Sequence, residues 1–231
     1  MTLDLNADLG EGVGTDAALM KLITSANVSC GAHAGDPAGI YTTLELAAER
    51  GVMVGAHPGY PDRANFGRMP MKWTEQEVWA HVMMQAGGLA ALAEAADVEV
   101  LYLKPHGALY HEACKDSVVA RAIVAACVAL DFAIVGLPGS KLEEEAADFI
   151  DFIPEGFADR RYRPDGTLVP RTESNALIHD PIEAVAQIER LVKDFEVQTI
   201  CVHGDSPGAV TFTTAVRELL VKKGIELKPF A

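Results

Sequence analysis

Seven short apolar runs recur along the chain, at residues 3–9, 26–31, 52–56, 98–104, 132–137, 149–154 and 198–203, each ending in glycine, proline or polar residues. Their length and unbroken hydrophobicity predict parallel strands buried on both faces. Between them lie segments of helical period at residues 16–24, 37–50, 74–96, 117–130, 140–147, 181–193 and 207–222. Seven alternations in 231 residues give about 33 residues per unit, close to the ~30 that a strand and its crossover helix need. Helix starts are punctuated by Asp36-Pro37, Asp180-Pro181 and Ser206-Pro207, each a capping oxygen before a proline at the first helical position. Thr74 with Glu77 reads as a capping box. The expected fold is α/β, one domain over residues 1–231, with a closed barrel of seven units favoured. An open doubly wound sheet would give the same local pattern. The tail at residues 224–228 is a candidate short eighth strand across the seam of such a barrel.

Composition narrows the partners. A formal net charge of −14 leaves no basic surface for phosphate backbones or anionic lipid, so neither nucleic acid nor membrane is expected. Cys30, Cys114, Cys127 and Cys201 lie far apart and form no C-x-x-C pair, so reduced thiols and a cytoplasmic location are expected. The first residues carry no basic and apolar leader, and no run is long enough to span a bilayer.

Candidate chemistry falls at the C-terminal ends of the apolar runs, where parallel α/β folds gather their sites. Asn6, Asp8 and Glu11 follow the first run, His33 and Asp36 the second, and His57, Asp62 and Arg68 the third. Lys104 and His106 follow the fourth, Glu155, Asp159 and Arg160 the sixth, and His203 and Asp205 the seventh. Asp36 and Ser206 have capping as their commoner role. A lone buried histidine is usually structural, but four at strand ends point to substrate contact. His81, His111 and His179 have no such setting. Lys104 at the end of an apolar strand must either pair with a carboxylate, Asp8 or Asp205, or serve a reaction. Gly10, Gly12 and Gly14 match neither the dinucleotide fingerprint nor a Walker loop and read as a turn.

Six ordered segments carry a resemblance. They are 4–12, with Asn6, Asp8 and Glu11; 25–37, with Cys30-Gly31-Ala32-His33-Ala34-Gly35-Asp36-Pro37; and Gly55-Ala56-His57-Pro58. The others are Lys104-Pro105-His106-Gly107-Ala108-Leu109-Tyr110, the stretch 157–171 and Val202-His203-Gly204-Asp205-Ser206-Pro207. Nearly end to end, the chain resembles the LamB/YcsF lactam-utilisation family, whose members include one component of bacterial 5-oxoprolinase. The resemblance implies a TIM-like barrel similar to glycoside hydrolase and polysaccharide deacetylase barrels. It also implies cleavage of 5-oxoproline to glutamate with hydrolysis of ATP, and cooperation with 5-oxoprolinase subunits B and C. Asp8, His57, Lys104 and His106 are then the expected catalytic set, with Asn6, Glu11, His33, Arg68, Glu155, Arg160, His203 and Asp205 binding substrate. ATP on this chain or on a partner, any metal, and a homo-oligomer are left open.

Four departures from the family pattern stand out. The stretch after Gly12 is short, Met69 stands where arginine is usual, His111 stands where asparagine is usual, and 193–198 is shortened. Two rival readings remain: a metal-dependent deacetylase using Asp8, His33, His57 and His203, and a non-catalytic substrate-binding platform.

Overall fold

The first strand, β1 (Thr2–Leu9), sets the logic of the molecule. Leu3, Leu5, Ala7 and Leu9 point outward and are buried in the layer shared with the helices. Asp4, Asn6 and Asp8 alternate with them, and their hydrogen bonds run to side chains of other strands, as the two-residue period of a strand requires. The structure is a computed structural model and describes residues 1–163, 166–206 and 208–230.

Around β1, the strands β2 (Ser25–Ser29), β3 (Met53–His57), β4 (Val100–Leu103), β5 (Ala133–Gly136), β6 (Phe152–Phe157) and β7 (Thr199–Val202) pair in chain order. All these pairings are parallel, and β7 and β2 both pair with β1, which closes a seven-stranded (β/α) barrel. The open-sheet alternative is thereby excluded. The two-residue strand β8 (Glu226–Leu227) pairs with Thr2 and Leu3. Lys228 N–H donates to Leu3 O (3.1 Å) and Thr24 N–H to Leu5 O (2.8 Å), so the tail covers the lower end of the β1–β2 seam. Beyond it, Phe230 packs on Tyr102 at 5.2 Å between ring centroids and joins Met53, Val135 and Ile153 at the bottom of the barrel.

The helices are α1 (Asp16–Leu19), α2 (Pro37–Arg50), α3 (Glu75–Ala95), α4 (Gly107–Ala113), α5 (Ser117–Leu130), α6 (Lys141–Ala146), α7 (Pro181–Phe195) and α8 (Ala209–Lys222). Asp36 caps α2 through Ala38 and Gly39 N–H, Asp180 caps α7, and Thr74 and Glu77 form the reciprocal box at α3. Three expectations shift. The helix at 16–24 is only four residues long: residues 20–22 form turns, and Thr24 hydrogen-bonds β1. Helix α4, which no periodic segment predicts, starts directly after His106. Pro207 lies outside the described residues, and α8 starts at Ala209 with Gly208, not Ser206, as its N-cap. Among the described residues no helix is long and apolar enough to cross a membrane.

Candidate active site

Three levels of side chains fill the barrel. At the bottom, Asp4 accepts hydrogen bonds from Thr24 Oγ1 (2.6 Å), Ser25 Oγ (2.6 Å) and the Thr199 hydroxyl. In the middle, Asn6 donates to Glu155 Oε1 (3.2 Å) and Thr199 Oγ1 (2.7 Å) and accepts from Asn27 Nδ2 (2.7 Å). Tyr102 reaches across to Asn27 Oδ1 (2.8 Å). Its ring lies where a Cβ on residue 55 would sit, 2.1 Å away, so Gly55 is required there. At the top, Lys104 Nζ lies 2.7 Å from Glu155 Oε1, 3.2 Å from Asp8 Oδ1 and 3.0 Å from Cys201 Sγ. Burial would strip the Lys104 proton, but Asp8, Cys201 and Glu155 outweigh it and hold the ammonium well above the usual lysine range. Burial would likewise neutralise Asp8, and His57 and Lys104 instead hold it well below the usual carboxylate range.

Beside Asp8 sit two imidazoles whose outer nitrogens are tied to backbone carbonyls. His57 Nδ1 is 2.7 Å from Lys104 O, and His106 Nε2 is 2.8 Å from Phe66 O. A carbonyl only accepts, so both of these nitrogens carry protons. The remaining two, His57 Nε2 and His106 Nδ1, face each other at 2.9 Å. Two lone pairs cannot meet at that distance, so a positive centre belongs between them. Asp8 Oδ2 lies 3.4 Å from His57 Nε2, and Glu11 Oε1 lies 3.5 Å from His106 Nδ1. Glu11 is pushed up to about 7 by burial and by Asp8. His33 stacks on His106 (3.8 Å, 4°) and places Nε2 3.0 Å from Glu11 Oε1. Burial and His57 take His33 down to about 3, so it is neutral and donates to Glu11. The loop carrying Glu11 is held by close backbone packing, since a Cβ on Gly35 would come within 2.0 Å of Gly10 O.

Above this floor opens a pocket of about 450 Å³. Its upper walls bring Arg68, Lys115, Arg160 and Arg171 to one cavity of an otherwise acidic protein. Arg68 pairs with Asp205 at 2.6 Å, and Arg171 lies 3.6 Å from the same oxygen. Arg160 is tied to Val169 O (2.7 Å). On the far wall Asp159 grips His203 Nδ1 at 2.8–2.9 Å, and Phe157 stacks on that imidazole. Burial opposes the charge on Asp159, and His203 overrides it to hold the carboxylate low. Two buried polar atoms of the pocket, Arg160 Nε and Asp205 Oδ1, have no hydrogen-bond partner among the described residues.

Of the residues singled out in the sequence, Asp8, Glu11, His57, Arg68, Lys104, His106, Arg160, His203 and Asp205 line this pocket. Asn6 and Glu155 lie beneath it. The sixth strand runs three residues later than expected, which puts Glu155 inside β6 and under Lys104 instead of on the rim. His33 stands behind Glu11, Asp36 caps α2, and Asp62 caps the 3-10 turn Arg63–Asn65. His111 corrects its reading as a bystander: α4 carries it into the pocket wall. Arg171, Lys115, Tyr110 and Cys201 join the site without a forecast from the sequence. Arg171 and Tyr110 sit inside two of the six segments, and Lys115 and Cys201 announce themselves only through the turn after α4 and the inward face of β7.

Comparison with known proteins shows the family and the fold. The sequence model of the LamB/YcsF family matches residues 3–231. A protein of Paracidovorax citrulli named as the A subunit of 5-oxoprolinase is 48% identical, with all of both chains covered. The crystal structure of a lactam utilization protein from Thermus thermophilus superimposes with a TM-score of 0.91 at 40% identity, again over all of both chains. The catalytic domain of a peptidoglycan N-acetylglucosamine deacetylase from Eubacterium rectale shares the fold alone, with a TM-score of 0.54 at 9% identity over 100% of this chain and 88% of that one. The chain belongs to the LamB/YcsF family.

Proposed function

We propose that this chain is the A subunit of an ATP-dependent 5-oxoprolinase. Together with partner subunits B and C, in the cytoplasm, it opens the lactam of 5-oxo-L-proline to L-glutamate as ATP becomes ADP and phosphate. The observation that carries the reading is the pocket itself. A cationic wall of Arg68, Lys115, Arg160 and Arg171 faces a floor of buried ammonium, carboxylates and paired imidazoles. Such a site suits a small ligand that carries one carboxylate and gains a phosphoryl group. The homologous name and full-length identity point the same way.

A five-membered lactam is a stable amide, and transfer of the γ-phosphoryl of ATP to its oxygen makes the ring carbon electrophilic. Water then adds to that carbon. The carbon–nitrogen bond breaks as the ring nitrogen takes a proton, leaving an acyl phosphate that a second water hydrolyses to glutamate and phosphate. Asp8, held ionised, accepts a hydrogen bond from the attacking water and orients it. His203, whose Nδ1 is committed to Asp159, carries at Nε2 the proton that the water loses and the nitrogen gains. Lys104 and the positive centre between His57 and His106 steady charge developing on oxygen. Arg68, Arg160 and Arg171 hold the carboxylate and phosphoryl groups. In this reading ATP sits on a partner, and the activated lactam occupies this pocket.

The test is 5-oxoproline-dependent release of glutamate and ADP by this protein, alone and mixed with its B and C partners. Release only in the mixture is expected, and Asp8→Asn in the mixture should lower turnover by at least about 100-fold. Silence in the mixture, or full turnover by Asp8→Asn, would overturn the reading.

A further inference from the structure

His57 and His106 are arranged as metal-ligating histidines are. In such sites the imidazole nitrogen away from the ion donates to a carbonyl or carboxylate, which fixes the ring and turns the other lone pair toward the ion. Here both rings do this, to Lys104 O and Phe66 O. Their free nitrogens converge at 2.9 Å, with Glu11 Oε1 3.5 Å from His106 Nδ1. One ligand atom from each of Glu11, His33, His57 and His106 lies within 4.8 Å of every other. Metal–nitrogen bonds of about 2.0–2.1 Å in a tetrahedral site put ligand atoms roughly 3.3 Å apart, close to the 2.9 and 3.5 Å that separate His106 Nδ1 from His57 Nε2 and Glu11 Oε1.

We propose that Glu11 Oε1, His57 Nε2 and His106 Nδ1 bind one divalent transition metal ion of the zinc or cobalt type, with a fourth position open to the pocket. Two imidazoles and one carboxylate suit such ions and are poor ligands for magnesium or calcium. Three protein ligands with an open position is the pattern of catalytic sites rather than closed structural ones. Glu11, His57 and His106 all line the pocket, which gives the ion an entry path. His33 is a positioning residue, its Nε2 donating to Glu11 Oε1 at 3.0 Å. Asp8 Oδ2, 3.4 Å from His57 Nε2, adds compensating negative charge. The neighbouring group Asp8, Cys201 and His203 also converges, but Lys104 Nζ stands 3.0 Å from the sulfur and repels a cation there.

The binding claim stands apart from the activity proposed above. Only its use rests on that reading, as a Lewis acid for the lactam oxygen or a source of activated water. The test is titration of chelator-stripped whole chain with Zn²⁺, followed by calorimetry, and with Co²⁺, followed by its visible absorption. One ion per chain is expected. Glu11→Gln, His57→Ala and His106→Ala should each weaken binding by more than about 100-fold, and His33→Ala by about 10–100-fold, as loss of an outer partner does. His179→Ala, outside the cluster, should bind like wild type. Glu11→Gln changes one oxygen for an amide nitrogen and keeps the test valid if the histidine variants do not fold. Metal bound without 5-oxoproline turnover supports the site and counts against the activity reading alone. No stoichiometric binding, or equal affinity in Glu11→Gln, would overturn the site and leave a shared proton between the imidazoles.

Discussion

Asp4 and Asp8 sit four residues apart on the same strand, both pointing into the barrel, and the protein treats them in opposite ways. Asp4 is met by the neutral hydroxyls of Thr24, Ser25 and Thr199. These satisfy its oxygens but bring no charge, so burial wins and raises its affinity for a proton. Asp8 is met by the Lys104 ammonium and the His57 imidazole, so it stays ionised although it too is largely withdrawn from water. Both carboxylates accept hydrogen bonds from side chains of neighbouring strands and loops, so satisfaction alone does not mark the working one. What separates them is the sign of the partners and the open space above Asp8. The lower level is a seam stitch between β7, β1 and β2, and the upper level is a charged site that a ligand can reach.

Lys104→Met breaks the upper level and is the largest effect expected. It leaves Asp8 and Glu155 buried without their cation, a loss of about 3–5 kcal/mol by the usual cost of orphaning one member of a buried ion pair. Turnover in the assembled complex should fall by about 1,000-fold or more. Urea denaturation and glutamate release measure the two, and wild-type values in both would remove Lys104 from the working site. Asp4→Asn breaks the lower level by swapping one acceptor for a donor, at about 1–3 kcal/mol, with turnover per folded molecule unchanged. The pH sign differs as well. Because the folded state raises the Asp4 proton affinity, its contribution is most favourable below the ordinary value of 3.8 and is lost as pH rises through the higher folded value, and Asp4→Asn should lack that loss. A drop in turnover per folded molecule would mean that the two levels are one site.

Much of this contrast is legible along the chain, and the missing parts have physical causes. The strand–helix alternation and the caps at Asp36, Asp180 and Thr74 are local, so they can be read locally. Closure into a barrel is a long-range event between β1, β2 and β7 and leaves no local mark. The inward alternation of Asp4, Asn6 and Asp8 is present in the sequence, but a run that reads as apolar on both faces hides it, and nothing in the run marks Asp4 as special. The apolar run before Glu155 ends at Pro154, which points to the rim, whereas pairing of β6 with β7 carries the strand on to Phe157. Arg171 and Lys115 reach the pocket from loops, where neither period nor strand end gives a signal.

Asp159 probes the same division from a third position, because its partner is the imidazole of His203 where Asp4 has hydroxyls and Asp8 an ammonium. Its folded carboxyl is held below the ordinary value of 3.8, with burial opposing and His203 prevailing. A depressed carboxylate contributes stability that is present above its unfolded value and lost as pH falls through the folded one. Asp159→Asn should therefore cost about 1 kcal/mol at neutral pH, and its deficit against wild type should close as pH drops below 3.8. Denaturation midpoints of both proteins from neutral pH down to about pH 3 measure this directly. A deficit that stays constant across that range would mean that Asp159 holds His203 by hydrogen-bond geometry without charge, as the Thr24 hydroxyl holds Asp4, and the division between the two levels would then rest on the open space alone.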